Sequence, residues 1–517
     1  MLARYVFSFA EMRLFGVPIL RCLVVVLLTA PAVGCGTGAS FNEPLSVQPI
    51  ETIEPGTGPV DDANGLDVSP QAFSASSARR LCAHMYPGIG SQFVGLTLSG
   101  GGARAAVFSA AVLFELEEVG LMNKVDVISA ASGGALTAGY YAVTCGEPQQ
   151  DQCKRALDKS REPISRRPWR RDDVYERLSR DFVVRSLFSR FWPANLFRTL
   201  FTAYDNTDIF ASVLSDNLYD SPYIGKDFRV SDINPERPIV VIDATNFTED
   251  RPRDTFTFTE WDFGDDLRSD ICKYELGRAI AASSAYPAFF NYTTLSQFKA
   301  DGDGSVVDGY VHLFDAGASD NLAITGMVSA IQNLAVGVGG STDSATILVI
   351  DAQNGFGGRT RKISDPRTPL DRIVDKNFYD VYDTLMAANY SSMLRHLVEQ
   401  FTERGFIRGK NLNIFHLGLK ALGPMWKGYQ DARFHAPASY RTVTAEERRG
   451  LLRAVNDIKT GYGLEQREVH CLAASAHVLV SDLRPSLERV FGRLPEVEDS
   501  TFLQDLDSCL SNGDRRT

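Results

Sequence analysis

The sequence predicts an α/β layered domain, and three observations carry that prediction. Residues 93–98, FVGLTL, form an apolar run suited to a buried strand. A glycine turn, SGGGAR at 99–104, and a helix-like stretch ending at Gly120 follow it. A second apolar run, VDVISA at 125–130, closes a strand–turn–helix–strand unit, the grammar of a layered α/β core. Further strands are expected at 238–243 (PIVVID), 346–350 (TILVI) and 412–417 (LNIFHL). A long helix is expected over 379–402. Residues 443–512 read as helices around a short strand or core segment, CLAASAHVLV at 471–480. The stretch 154–220 is polar, aromatic and arginine-rich, helical in parts, and reads as an insertion that shapes access to a site.

With 517 residues, 44% hydrophobic and 23% charged, the chain can build one large core with extensions. Its formal net charge of -11 argues against a nucleic-acid partner. The basic run RRPWRR at 166–171 reads first as a solvated surface. A secondary reading is contact with anionic headgroups through Trp169.

Residues 22–33, CLVVVLLTAPAV, are too short to span a bilayer and follow Arg13 and Arg21, the layout of a secretory leader over 1–34. Met12 is an alternative start. AVGC at 32–35 resembles a bacterial lipoprotein cleavage box, with Cys35 as the lipidated residue and Gly36 favouring the outer membrane. The plainer alternative is an ordinary leader that releases a soluble periplasmic protein. Residues 35–80 read as a tether or loose lead-in, and an ordered domain is expected from residue 81. An exported chain permits disulfides. Cys145 and Cys153, flanking a polar loop, are the best local pair, and their spacing does not suit zinc. No metal and no cofactor is expected. DGDG at 301–304 lacks the rest of a calcium loop.

Two stretches bear on chemistry. In AASGG, 130–134, Ser132 ends a strand and precedes a helix, with small neighbours that let the two elements approach. The usual pattern is G-x-S-x-G, so Ala130 stands in for its first glycine. Taken alone, these letters fit a serine in a tight turn better than a nucleophile. In SGGGAR the N–H groups of Gly100, Gly101 and Gly102 can hold negative charge at a helix N-terminus, which suits an oxyanion hole. The match to a dinucleotide fingerprint is short, and no acidic residue ends the next strand. Arg104 braces the loop, anchors a phosphate, or is an ordinary helix arginine. None of the seven histidines is marked as a base, and His312 reads as part of a strand. Asp315, in DAGASDN, can accept a serine proton from a strand end; it serves equally as an Asx-turn or a helix cap.

SGGGAR at 99–104, the serine turn at 129–135, ASSAYPAFF at 282–290 and DAGASDN at 315–321, in that order, together resemble the patatin-like phospholipase family. The resemblance implies a three-layer α/β fold with a central, mostly parallel sheet flanked by helices. The resembling blocks span roughly 90–325; the domain is expected over 81–440, with 441–517 as a mainly helical extension. The resemblance also implies a Ser132–Asp315 dyad, an oxyanion hole at Gly100, Gly101 and Gly102, and Arg104 as the basic residue that follows. Ser283, Ser284 and Pro287 match a segment that packs near the serine turn. Asp243 and Asn246 end another strand and read as loop organisers. Ala105, Ala130 and Ala316 replace glycines of the family pattern. The function implied is a serine lipid acyl hydrolase acting on an acyl lipid, and the leader and Cys35 add the expectation of an N-terminal lipid anchor at the membrane. The alternatives are a non-lipid serine esterase or thioesterase, and a catalytically silent envelope binding protein. The silent protein predicts a blocked serine turn or a Ser132–Asp315 separation too long for a hydrogen bond.

Overall fold

The computed structural model of the chain describes residues 41–45, 79–82, 84–86, 92–145, 167–202, 204–219, 227–249, 253–287, 289–301, 304–336, 342–353, 399, 411–423, 433–435, 442–461, 463–496 and 500–511. The expected leader, Cys35, most of the tether, Cys153 and the expected helix 379–402, apart from one residue, lie outside the described residues.

The main sheet is built from β1 (Gln92–Leu98), β2 (Val127–Ala131), β3 (Ile239–Asn246), β4 (Thr255–Phe258), β5 (Thr293–Asp301), β6 (Gly304–Phe314), β7 (Ser344–Asp351), β8 (Leu412–Gly418) and β9 (Phe434–His435). Their spatial order is β9-β8-β7-β1-β2-β3-β6-β5, with β4 also on β3. The six strands from β9 to β3 pair in parallel. The three others pair antiparallel. Asp301 at the end of β5 pairs with Gly304 at the start of β6, while residues 302 and 303 lie outside the described residues.

Strand periodicity divides the apolar side chains between two faces. Val94, Leu96, Ile128, Ala130, Ile242, Leu348 and Ile350 join one core, and Phe93, Val127, Val241, Ile347, Val349 and Ile414 join another. Along the chain follow α1 (Gly102–Glu118), α2 (Gly133–Val143), α3 (Arg171–Leu178), α4 (Phe182–Arg190), α5 (Pro193–Phe201) and α6 (Asn206–Leu214), and all but α5 contribute side chains to the first core. Of these, α5 buries no residue. Then come α7 (Glu260–Asp265), α8 (Leu276–Ser283), α9 (Gly317–Asp320) and α10 (Ile324–Val336), the last packing on the second face through Met327 and Ile331. The last helices are α11 (Ala445–Asp457), α12 (Gln466–Phe491) and α13 (Ser500–Leu510). The fold is a three-layer α/β arrangement with a central, mostly parallel sheet flanked by helices.

CLAASAHVLV is the centre of α12, not a strand. A continuous apolar run suits either element, and here it is helical because α12 lies against α1 and α13. The C-terminal helices share the first core with α1 and α2. Disulfides join Cys471 to Cys509 and Cys82 to Cys272. Cys145 is disulfide-bonded as well. Residues 41–45 fall in the expected tether, yet they dock on the body: Asn42 donates to Ser269 Oγ at 3.0 Å and to the Ser296 carbonyl at 2.8 Å. Trp169 is 2% exposed and stacks on Phe114 with centroids 4.8 Å apart. Arg171 pairs with Glu115, Glu118 and Asp505. Trp169 is therefore a core residue, which removes the headgroup-contact reading of the 166–171 cluster.

Candidate active site

Ser132 is the residue between β2 and α2, with φ 47° and ψ −115°. A side chain other than glycine is strained there, by about 1–3 kcal/mol. Ala130 and Ala131 lie in regular strand, and neither has a positive φ. The positive φ of the turn thus falls on Ser132 itself, and Ala130 replaces the glycine without strain. The backbone holds it in place: the Ser132 N–H donates to Ser283 Oγ at 2.9 Å, and its carbonyl accepts from the Ala135 N–H at 2.9 Å. The hydroxyl does not cap the helix. It donates instead to Asp315 Oδ2 at 2.8 Å.

Asp315 follows β6 and is 3% exposed. Its two oxygens have separate partners. Oδ1 accepts from the Gly317 N–H at 2.9 Å, an Asx-turn, while Oδ2 accepts from Ser132. The two readings of this aspartate are both realised. The end of α8 joins the two segments: Ser283 takes the Ser132 N–H on its hydroxyl and the Ala316 N–H on its carbonyl at 3.0 Å, and the Asp315 N–H donates to the Ala285 carbonyl at 3.2 Å. Ala316 has φ −62°, ordinary for alanine, and packs with Ala131 and Ala323. Ala105 is a buried residue inside α1. The three alanine replacements therefore sit where no glycine backbone is needed.

The glycine turn lies directly against the serine turn. Gly102 has φ +63°, and a Cβ on Gly133 would sit 2.2 Å from the Gly102 carbonyl oxygen. The expected donor set changes in two respects. The Gly100 N–H donates to the Asn321 carbonyl at 2.9 Å, so Gly100 fastens the loop and has no N–H to offer. The N–H groups of Gly101 and Gly102 have no hydrogen-bond partner among the described residues, and neither does that of Gly133. Gly133 was absent from the expected donor set. Its signal is its place, directly after the serine of a strand-to-helix turn.

Arg104 is 4% exposed; its Nε donates to the Ala352 carbonyl at 3.0 Å and its Nη1 to the Ile458 carbonyl at 3.1 Å. It is a loop brace, and the phosphate-anchor reading fails on burial. Asp243 is fully buried and faces Asp320 and the Gly326 backbone. Burial, then the Asp320 charge, pushes its carboxyl well above the usual range. Asp320 is raised as well, chiefly by burial. Neither Asp243 oxygen has a hydrogen bond of good geometry, although the Gly326 N–H lies against it. Asn246 accepts from the Thr248 N–H at 3.1 Å, a local turn. His312 lies on β6 with its ring 3.1 Å from Thr294 Oγ1. His416 and Asp351, at 3.3 Å, form a fully buried pair that the sequence did not mark. Cys82, Glu260 and Cys272 gather within 4.8 Å, but the Cys82–Cys272 disulfide leaves no thiolate there to bind a metal.

Residues 96–328 match the patatin-like phospholipase family, so the chain carries a patatin-like phospholipase domain. No curated protein matches the chain. Among solved structures, human GIVD cytosolic phospholipase A2 is similar at 12% identity and TM-score 0.41, over 81% of this chain and 60% of that one. VipD from Legionella pneumophila is similar at 12% identity and TM-score 0.25, over 81% and 79%. The ExoU–SpcU complex of Pseudomonas aeruginosa gives 17% identity and TM-score 0.19, over 45% and 46%.

Proposed function

We propose, starting from the patatin-like phospholipase domain at residues 96–328, that the protein is a serine lipid acyl hydrolase with Ser132 as nucleophile and Asp315 as base. One observation carries the reading: a strained serine at a strand-to-helix turn donates to a buried carboxylate at 2.8 Å, beside three backbone N–H groups that have no partner among the described residues. A silent binding protein has no need of this arrangement.

A serine hydroxyl is a weak nucleophile until a base takes its proton. Asp315 Oδ2 accepts that proton as Ser132 Oγ attacks the ester carbonyl carbon. The carbonyl π electrons move to oxygen, and the N–H groups of Gly101, Gly102 and Gly133 stabilise the resulting oxyanion. Loss of one such donor costs about 3 kcal/mol of barrier. The tetrahedral intermediate collapses, and the leaving alcohol or lysolipid takes the proton from Asp315. Water then attacks the acyl-serine, giving its proton to Asp315. Ser132 leaves reprotonated, and the fatty acid departs.

Fatty-acid release from phospholipid, lysophospholipid and triglyceride tests the reading. Wild type releases fatty acid, and Ser132→Ala and Asp315→Asn each fall by about 10³-fold or more. No release by wild type, or variants equal to it, sinks it. The proposal includes attachment to a bacterial envelope through lipid on Cys35, most simply at the outer membrane. Intact mass after detergent extraction checks this, and a mature chain without diacylglyceryl there overturns it.

A further inference from the structure

Residues 182–201, FVVRSLFSRFWPANLFRTLF, form α4 and α5 and an unusual surface. More than half of the large exposed apolar side chains among the described residues fall in this segment. Phe188 and Phe191 are each 75% exposed, Trp192 69% and Leu200 67%. An apolar patch of this size on a folded surface marks a binding face.

The charge around the patch identifies its partner. The segment holds Arg185, Arg190 and Arg198 and no acidic residue, in a chain of net charge -11. All three arginines are exposed, and none is ion-paired among the described residues; Arg198 lies over the Tyr204 ring. Apolar and aromatic side chains with interleaved arginines suit the boundary between anionic headgroups and acyl chains. Each helix has nine residues and reaches about 13 Å, far short of a bilayer. Neither helix is long enough to cross one.

The patch is also linked to the site. Asp181 caps α4, and a Cβ on Gly463 would sit 2.9 Å from Asp181 Cβ. Two residues earlier, the Gly461 carbonyl accepts from the Ala103 N–H at 2.8 Å and presses on Gly102. On the other side α4 packs on α6, and α6 on α8, whose Ser283 holds the Ser132 N–H.

We propose that α4 and α5 dock the protein on an anionic lipid surface, with Phe188, Phe191, Trp192 and Leu200 entering the headgroup–acyl boundary and the arginines meeting lipid phosphates. Docking there holds the Ser132 site against the layer that supplies its substrate; that last role rests on the acyl-hydrolase reading, and the docking itself does not.

The test uses the full chain carrying Ser132→Ala, so that vesicles stay intact. Vesicles contain phosphatidylcholine alone or with phosphatidylglycerol, and their acyl chains carry bromine. Because the N-terminal apolar stretch can itself hold the chain on a vesicle, the readout is local: the quenching lost in Trp192→Phe. Bromine is expected to quench the Trp192 signal, and phosphatidylglycerol to strengthen it. Arg185→Glu, Arg190→Glu and Arg198→Glu together weaken it about tenfold or more. No Trp192-dependent quenching, or quenching indifferent to phosphatidylglycerol, overturns the proposal. So does a dimer in sedimentation that Phe188→Ser and Leu200→Ser dissociate, since a second copy then covers the face. In the active chain, Phe188→Ser, Phe191→Ser and Leu200→Ser together slow vesicle hydrolysis about tenfold and leave a soluble short-chain ester within about twofold. If wild type hydrolyses neither substrate, the acyl-hydrolase reading fails, while the Trp192 quenching still decides the docking.

Discussion

The Ser132 hydroxyl donates to Asp315 Oδ2 at 2.8 Å across 183 residues of sequence. The contact exists because β2 and β6 flank β3 and end at the same edge of the sheet. The end of α8 then fastens both residues through Ser283 and Ala285.

Gly133→Ala should damage catalysis more than the fold. Its new Cβ would sit 2.2 Å from the Gly102 carbonyl oxygen and push the glycine turn away. Fatty-acid release should fall about 10²–10³-fold, the loss of one oxyanion donor. Steady-state rates alongside circular dichroism check this. A folded variant with the wild-type rate contradicts it.

Ala130→Gly, which restores the family's usual letter, should gain nothing. Ala130 lies buried in regular strand, so glycine adds only freedom to the unfolded chain. The rate should stay within about twofold and stability drop by about 0.5–1 kcal/mol. Urea unfolding with parallel assays measures both, and a several-fold faster enzyme would show that the alanine distorts the turn.

Arg104→Gln separates a brace from a phosphate ligand. The variant loses donors to the Ala352 and Ile458 carbonyls. Stability should fall by about 1–3 kcal/mol for the buried groups left unpaired. Rates on a phospholipid and on a neutral glyceride should fall by similar factors. A loss confined to the phosphate-bearing substrate would restore the anchor reading.

Asp243→Asn should stabilise the protein increasingly as pH rises. Burial, then Asp320, raises the folded-state Asp243 carboxyl well above its unfolded value. The folded state therefore holds a proton that the unfolded chain releases above about pH 4. The group's contribution is fully present below that pH and is lost as pH rises through the raised folded value. Asparagine removes the loss, and its amide can donate to the neighbouring Asp320 carboxylate. Thermal melts from pH 4 to about 8 should show the variant's advantage growing with pH; an offset that does not change with pH refutes this.

Much of the corner was legible because its grammar is local. FVGLTL, SGGGAR, VDVISA and the serine turn lie in one stretch, and strand periodicity and small residues suffice to read them. What needed coordinates was long-range. Whether the Gly100 N–H is free depends on where the Asn321 carbonyl comes to rest. Arg104 finds its partners 248 and 354 residues away. The strand TTLSQFKAD and the first half of GSVVDGYVHLF carry many polar letters, so of the β5–β6 hairpin only the end of β6, at His312 and before Asp315, reads as strand. Composition marked 154–220 as aromatic and arginine-rich, but only the fold shows that α5 buries none of its side chains.

Covalent trapping tests the central claim most directly. The full chain is treated with a long-chain alkyl fluorophosphonate, which phosphonylates an activated serine, and the adduct is mapped by peptide mass spectrometry. The account predicts one adduct, on Ser132, abolished by Ser132→Ala and strongly slowed by Asp315→Asn. No adduct on Ser132 in the folded wild-type chain, or labelling that Asp315→Asn leaves unchanged, would contradict it.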